Sequence, residues 1–382
     1  MPVYTDENMT VILQMPADFP YTDLHAVAAL LADTQVFVPG FMLAPDGLYS
    51  PDVYLFQRRV EDVEFVILPD RNLASRMARV SMGEPVDKDR RLAAGVMAFA
   101  QCLDLNYEPS IAFHELAHRV NNATALEELR WFRAADRPRP QDWVDVALGR
   151  LNRMAPQSAV ATVPDANMAR PLRRWNRNYI LALKVAELEL ERVSALDKML
   201  QLMEWMFWDF IWAGPALLYA SLYLAPSSPK KGMFKQLRSA DRKRAIAGVR
   251  NAAWDMTHMS EFARLVMEQG SDQKRFILAT LDRAVALIAP YLFGDKEETD
   301  ERKALSAALS EWWPSADAWT LADAFWSYSE RREDPKRLVN RESPPNHIGV
   351  LIDAGEQHLR QWTPSSAGSA APQVRRSDRI QR

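Results

Sequence analysis

The chain has 382 residues and a formal net charge of −3. That balance excludes a protein coating nucleic acid by bulk attraction, so an anionic partner must be met by local basic patches. Cys102 is the only cysteine, which excludes an internal disulfide and a cysteine-based zinc cluster and fits a reducing, cytoplasmic setting.

The first ten residues, MPVYTDENMT, lack a basic start followed by an apolar run, so no signal peptide is expected. Four short β-branched and aromatic runs follow within the first seventy residues. They are Thr10 to Met15, Gln35 to Gly40, Val53 to Gln57 and Glu64 to Leu68. Pro, Asp and Gly bound them, which predicts strands. Tyr21 to Asp33 reads as a helix between the first two.

From Arg90 the pattern is mostly helical. Arg90 to Leu105 is rich in strong helix formers, and Pro109 suits the first turn of the next helix, which carries the string FHELAHRVNN. Asp142 to Met154 is amphipathic. Tyr179 to Leu224 is a long helical region that Pro215 should divide. Phe210 to Pro226 carries no charge, but it is shorter than the roughly 20 apolar residues of a spanning helix and reads as a buried core helix. Trp205, Trp208 and Trp212 recur at helical spacing, as core aromatics do.

A basic connector then carries Lys230, Lys231, Lys235, Arg238, Arg242, Lys243 and Arg244. A helix follows around Asp255, with Gly270 as its stop. Arg275 to Thr280 is the strand-like run of the second half, and Leu281 to Leu292 and Asp317 to Ser329 read as helices. From Thr363 a Ser/Ala/Pro-rich and then basic tail reads as disordered.

Two chemical readings compete at HELAH. As HExxH, the string puts His114 and His118 on one helix face as zinc ligands, with Glu115 as general base of a peptidase. That reading needs a third ligand. Arg119 to Thr124 offer no histidine, and Glu187, Glu189 and Glu191 are candidates in position only.

The other reading takes Glu115 as one member of a carboxylate cluster. An apolar strand ends at Asp70 in ILPDRN, and another ends at Thr280 with Asp282 just beyond in ATLDRA. Acids past the C-terminal ends of adjacent parallel strands face a common crevice. Glu115 in AFHELA and Asp255 in AAWDMTH are two further acids on helices. Clustered carboxylates repel one another until a hard divalent cation neutralises them. Each acid also has a structural reading: Asp70 and Asp282 as helix N-caps, Glu115 and Asp255 as solvated helix positions.

The order strand–Asp, helix–Glu, helix–Asp, strand–Thr-x-Asp resembles the PIN-like nuclease family. The resemblance covers roughly residues 63–120 and 247–289, with more than a hundred mostly helical residues between Glu115 and Asp255. It implies an α/β fold with a small parallel sheet flanked by helices, and here a large helical insertion. It implies Mg²⁺ or Mn²⁺ held by Asp70, Glu115, Asp255 and Asp282, with Thr280 positioning a ligand or water. It implies an endoribonuclease in which a water, not a side chain, attacks phosphorus.

The expected organisation is a PIN-like N-terminal part over 1–125 and a helical insertion with the basic connector over 126–245. The C-terminal part of the core then spans 246–295, a helical extension 296–362 and the tail 363–382. An RNA substrate, with DNA as the alternative, would need cationic contacts. Arg173, Arg174, Trp175 and Arg177, together with Lys230, Lys231, Lys235, Arg242 and Lys243, are the candidates, with Trp175 offering a stacking face. A protein regulator and the oligomeric state are left open. A non-catalytic helical scaffold is the remaining alternative.

Overall fold

The computed structural model describes residues 3–6, 9–41, 47–160, 166–229, 232–293, 300–336 and 346–364. In chain order the first elements are β1 (Val3–Asp6), β2 (Met9–Ile12), α1 (Tyr21–Thr34), β3 (Phe37–Pro39), α2 (Pro51–Arg59) and β4 (Glu64–Pro69). Then come α3 (Arg71–Ser81), α4 (Lys88–Cys102), β5 (Asn106–Tyr107), α5 (Ser110–Arg119), α6 (Asn122–Ala134) and α7 (Pro140–Ala147). The second half has α8 (Arg173–Leu190), α9 (Ala195–Trp208), α10 (Gly214–Leu224), α11 (Arg242–Gln269), β6 (Lys274–Ala279) and α12 (Arg283–Ile288). A 3₁₀ turn (Ala289–Leu292), α13 (Glu301–Leu309), α14 (Ser315–Glu330) and a last described helix (His347–Gln361) complete it.

The protein is mixed α/β and predominantly helical. β1 and β2 form an antiparallel pair of their own. The other strands make one sheet in the order β3-β6-β4-β5. β4 runs parallel to both β5 and β6. β3 runs antiparallel along β6, so the sheet is mixed and not wholly parallel as expected. Its edge strand β3 follows α1 directly.

Side chains alternate across the sheet with the two-residue period of a strand. Phe37, Phe65, Ile67, Ile277 and Ala279 face one core, built mainly by α1, α3, α4 and α7. Val38, Val66, Leu68, Phe276 and Leu278 face the other, built mainly by α8 to α11. Residues 126–245, expected as an insertion, therefore divide between two layers. α6 and α7 supply Leu129, Phe132 and Trp143 to the first core, and α8 to α10 supply much of the second.

Two of the expected elements differ, and one expectation lies outside the described residues. Val53 to Gln57 is helical within α2, with Pro51 in its first turn and Pro51, Tyr54 and Leu55 buried. That spacing is a helical period, and Asp52 at the start with Arg58 and Arg59 at the end suits the helix dipole. The helix expected over Asp142 to Met154 stops at Ala147, before Gly149 at φ 75°. The tail lies outside the described residues beyond 364.

Pro215 does divide the long helical region, sitting in the first turn of α10. Among the described residues no helix is long and apolar enough to cross a membrane. α10 instead packs in the second core, with Tyr219, Ala220 and Leu222 fully buried.

Candidate functional site

β4 and β6 are adjacent and parallel, with Leu68 opposite Leu278 and Pro69 opposite Ala279. The chain leaves β4 towards β5 on one side, while β6 lies on the other. Their C-terminal ends therefore open a crevice of the kind that hosts α/β sites. Asp70 follows β4 directly and caps α3, its Oδ1 accepting the Leu73 N–H at 2.6 Å. Its Oδ2 accepts the Thr280 hydroxyl at 2.6 Å and the Leu281 N–H at 3.1 Å. Burial pushes the Asp70 carboxyl above its ordinary range against these hydrogen bonds.

Thr280 is buried and links the two strand ends. It donates to Asp70, and its oxygen accepts the Asp282 N–H at 2.9 Å. Asp282 caps α12, its Oδ1 accepting from Ala284 and Val285. The N-cap reading of Asp70 and Asp282 is thus realised, and it aims both carboxylates from the same edge of the sheet.

The helical acids arrive from opposite layers. Glu115 is 6 % exposed, so it is not a solvated helix residue. Its Oε2 lies 3.1 Å from Nε2 of His258, and its Oε1 accepts from Arg119 at 3.2 Å. Burial pushes the Glu115 carboxyl up, but the His258 hydrogen bond and the charges of His258 and Arg119 outweigh it and hold the group below its ordinary value.

Asp255 lies one turn before His258 on α11, on the same helix face. Its Oδ2 accepts the Tyr219 hydroxyl at 3.1 Å. Burial, then the charges of Asp282 and Glu115, drive its carboxyl well above the carboxylate range, with Lys235 opposing. Tyr219 is in turn pushed up by burial and by Asp255 and Asp282. Asp70 feels the His258 imidazole. The four acids, drawn from positions 70, 115, 255 and 282, therefore share one electrostatic neighbourhood.

The acids are not drawn together to coordination distance. Among the described residues no three His, Cys, Asp or Glu side chains stand as a group that could hold a metal ion. Most of their oxygens are engaged. Among the described residues, Asp255 Oδ1 and Asp282 Oδ2 have no hydrogen-bond partner.

His258 escaped the reading of the sequence. It is 5 % exposed, and its Nδ1 is buried with no hydrogen-bond partner among the described residues. The signal was its three-residue spacing from Asp255 in DMTH, which stacks the two on one helical face.

The HELAH histidines do other work. His114 Nδ1 lies 2.7 Å from the Met168 carbonyl, and His118 Nε2 lies 3.0 Å from the Arg170 carbonyl. Each imidazole pins the segment before α8. Glu187 pairs with Lys184, Glu189 pairs with Lys198 and Arg238, and Glu191 caps the end of α8. None completes a zinc site with the two histidines.

The basic candidates divide. Trp175 is stacked on Tyr179 at 4.9 Å and packed against His118 and Trp254, which takes its faces from a stacking base. Arg174 pairs with Glu261 and donates to the Ser260 carbonyl. Arg242 donates to the carbonyls of Leu359, Leu237 and Ser239 and lies over the Trp362 ring, so it is a structural clamp. It also stands thirteen residues before Asp255, about 20 Å along a helix. Arg173, Arg177 and Lys243 are exposed, and Lys230 and Lys231 lie outside the described residues.

Among the described residues of the connector, Lys235 alone is tied to the acids. A Cβ on Gly248 would sit 1.8 Å from the Lys235 carbonyl oxygen. Only glycine permits that approach of the connector to α11, and it brings the Lys235 charge within reach of Asp255.

Comparison of the chain with protein-family models, with curated proteins and with solved structures gave no match.

Proposed function

We propose that the crevice is the active site of a divalent-cation-dependent phosphodiesterase of PIN-like type, acting on RNA. The observation that carries this reading is one electrostatic neighbourhood shared by four acids, in the order the resemblance requires, beside the C-terminal ends of two adjacent parallel strands. Their mutual repulsion is felt at Asp255, whose carboxyl is driven up by Asp282 and Glu115. Such a site is stabilised by a positive ion.

The donors suit Mg²⁺ or Mn²⁺ in chemistry, since carboxylate oxygens are what hard cations bind. Asp255 and Asp282, each with one oxygen unpartnered among the described residues, would hold the ion with Glu115 once its contacts to His258 and Arg119 rearrange; Asp70 would complete the acid set. A bound cation supplies charge neutralisation and an activated water for attack on phosphorus.

The chain's own residues set the stage for that chemistry. Asp70 and Thr280 lock the ends of β4 and β6 together, so Asp282 cannot drift from the crevice. His258 holds Glu115 on the crevice side of α5. Lys235 brings a cation to the crevice where a substrate phosphate needs one. Side chains held by such contacts lose little entropy on binding substrate.

The test is cleavage of single-stranded RNA in Mn²⁺ by the wild type and by Asp70→Asn. Cleavage by the wild type alone supports the assignment. Equal cleavage by both, or none by either, removes it.

A further inference from the structure

A cleft of about 360 Å³ opens between α3, α5 and the start of α4, next to the acids but outside them. Its lining includes Arg71, Ser75, Arg76, Arg79, Arg90 and Arg119. Five of those six side chains are guanidiniums. Residues 71, 75 and 79 recur every four positions, so α3 lays them along one face. That face begins at the residue after Asp70. Across the cleft, Arg119 is the residue that reaches back to Glu115 at 3.2 Å. The cleft and the acid crevice therefore share two walls.

The guanidiniums are not equivalent. Arg71 is held in a fork by Glu128 at 2.6 and 3.1 Å. Arg76 pairs with Asp89, and Arg90 pairs with Glu84 and Asp87. These three are fixed and largely neutralised. Arg79 is exposed, and its side chain has no hydrogen bond or ion pair among the described residues. The Arg119 side chain is 58 % exposed, and its one ion pair among the described residues is with Glu115. Two exposed cations thus stand beside three arginines that are paired.

We infer that this cleft binds the phosphate backbone of the RNA strand and leads it to the acids, with Arg79 and Arg119 as the contacts. Guanidinium forks match phosphate oxygens in geometry and charge. The volume lies at the small end of ligand pockets, which run from about 300 to 1,000 Å³. The acids a few residues away repel phosphate, so a cationic approach is what lets a polyanion come near them. The inference rests on the hydrolase reading of the acids, and it adds the path of the substrate.

The experiment is fluorescence anisotropy with a labelled single-stranded oligoribonucleotide in EDTA, which uncouples binding from cation-dependent cleavage. The proteins are wild type, Arg79→Glu, Arg79→Lys, Asp255→Asn and Lys303→Glu. Lys303 is an exposed charge on α13 and serves as the control for net charge. Arg79→Glu should weaken binding by about tenfold and reduce the salt slope by about one, with Arg79→Lys partly restored. Asp255→Asn should bind at least as tightly as wild type, and Lys303→Glu should match it.

No binding by the wild type, Arg79→Glu binding as tightly, or equal weakening by Lys303→Glu would each overturn the cleft. The two readings separate cleanly. Arg79-dependent binding without any cleavage keeps the cleft as an RNA site and removes the hydrolase. Asp70-dependent cleavage with Arg79-independent binding keeps the hydrolase and removes the cleft.

Discussion

Glu115 and His258 lie 143 positions apart in the chain and meet at 3.1 Å in the interior. One comes from the HELAH helix α5 and the other from the long helix α11. Their contact joins the layer on one face of the sheet to the layer on the other, directly beside the acid crevice.

Removing the imidazole leaves a buried carboxylate whose remaining contact is Arg119. His258→Ala should cost about 3 kcal/mol, the scale of breaking a buried pair from one side. Chemical denaturation measures it, and His258→Gln, which keeps a donor, should recover part. The pH dependence has a definite sign. Glu115 is held below its ordinary value of 4.5, so its contribution is fully present above that pH and is lost as pH falls through the folded value. The alanine variant should lose that acid-side fall in stability.

Asp255 has the opposite sign. Its carboxyl is raised well above 3.8 by burial and by Asp282 and Glu115. Stability from the neutral group is present at low pH and is lost as pH rises from the ordinary value through the raised one. Asn stays neutral and can still accept from Tyr219. Without divalent cations, Asp255→Asn should therefore melt a few degrees above wild type at pH 8, and the gap should close near pH 4. Thermal melts across that range check it.

Arg242 should act on stability and not on RNA. Its guanidinium holds three carbonyls from Leu237, Ser239 and Leu359 and covers Trp362. Arg242→Ala should cost about 2 kcal/mol, in line with hydrogen bonds to a charged donor. Parallel urea denaturation and anisotropy should show the stability loss with RNA affinity unchanged, while Lys235→Ala should weaken RNA binding with the fold intact.

Much of the site was legible because its parts are local signals. The apolar run before Asp70 and the one before Thr280 are strands by composition alone, and the acids follow them within three residues. Their adjacency and parallel pairing were implied by the resemblance, and the sheet has them. β3 as an antiparallel edge was not legible, since three residues carry no direction. Val53 to Gln57 misled because five mixed apolar residues fit either period, and Pro51 and Asp52 decide for the helix.

Long-range partners were the other blind spot. Nothing in ARPLRRWNRN says that Trp175 meets Tyr179, His118 and Trp254, or that Arg174 meets Glu261. The arginines of α3 were missed for the same reason, since their face is set by what α5 and α4 leave uncovered. His258 was within reach, because three-residue spacing from Asp255 is a helical signal, but a lone histidine on an apolar face points to no partner.

Binding of a divalent cation by the crevice acids is read by calorimetric titration with Mn²⁺. The proteins are wild type, Asp255→Asn and Asp282→Asn; asparagine caps a helix as well as aspartate does, so α12 keeps its N-cap. The account predicts one saturable Mn²⁺ site in the wild type, weakened at least about tenfold in each variant, since each loses a charged oxygen donor. A wild type that takes up no Mn²⁺, or variants that bind it as tightly, would contradict it.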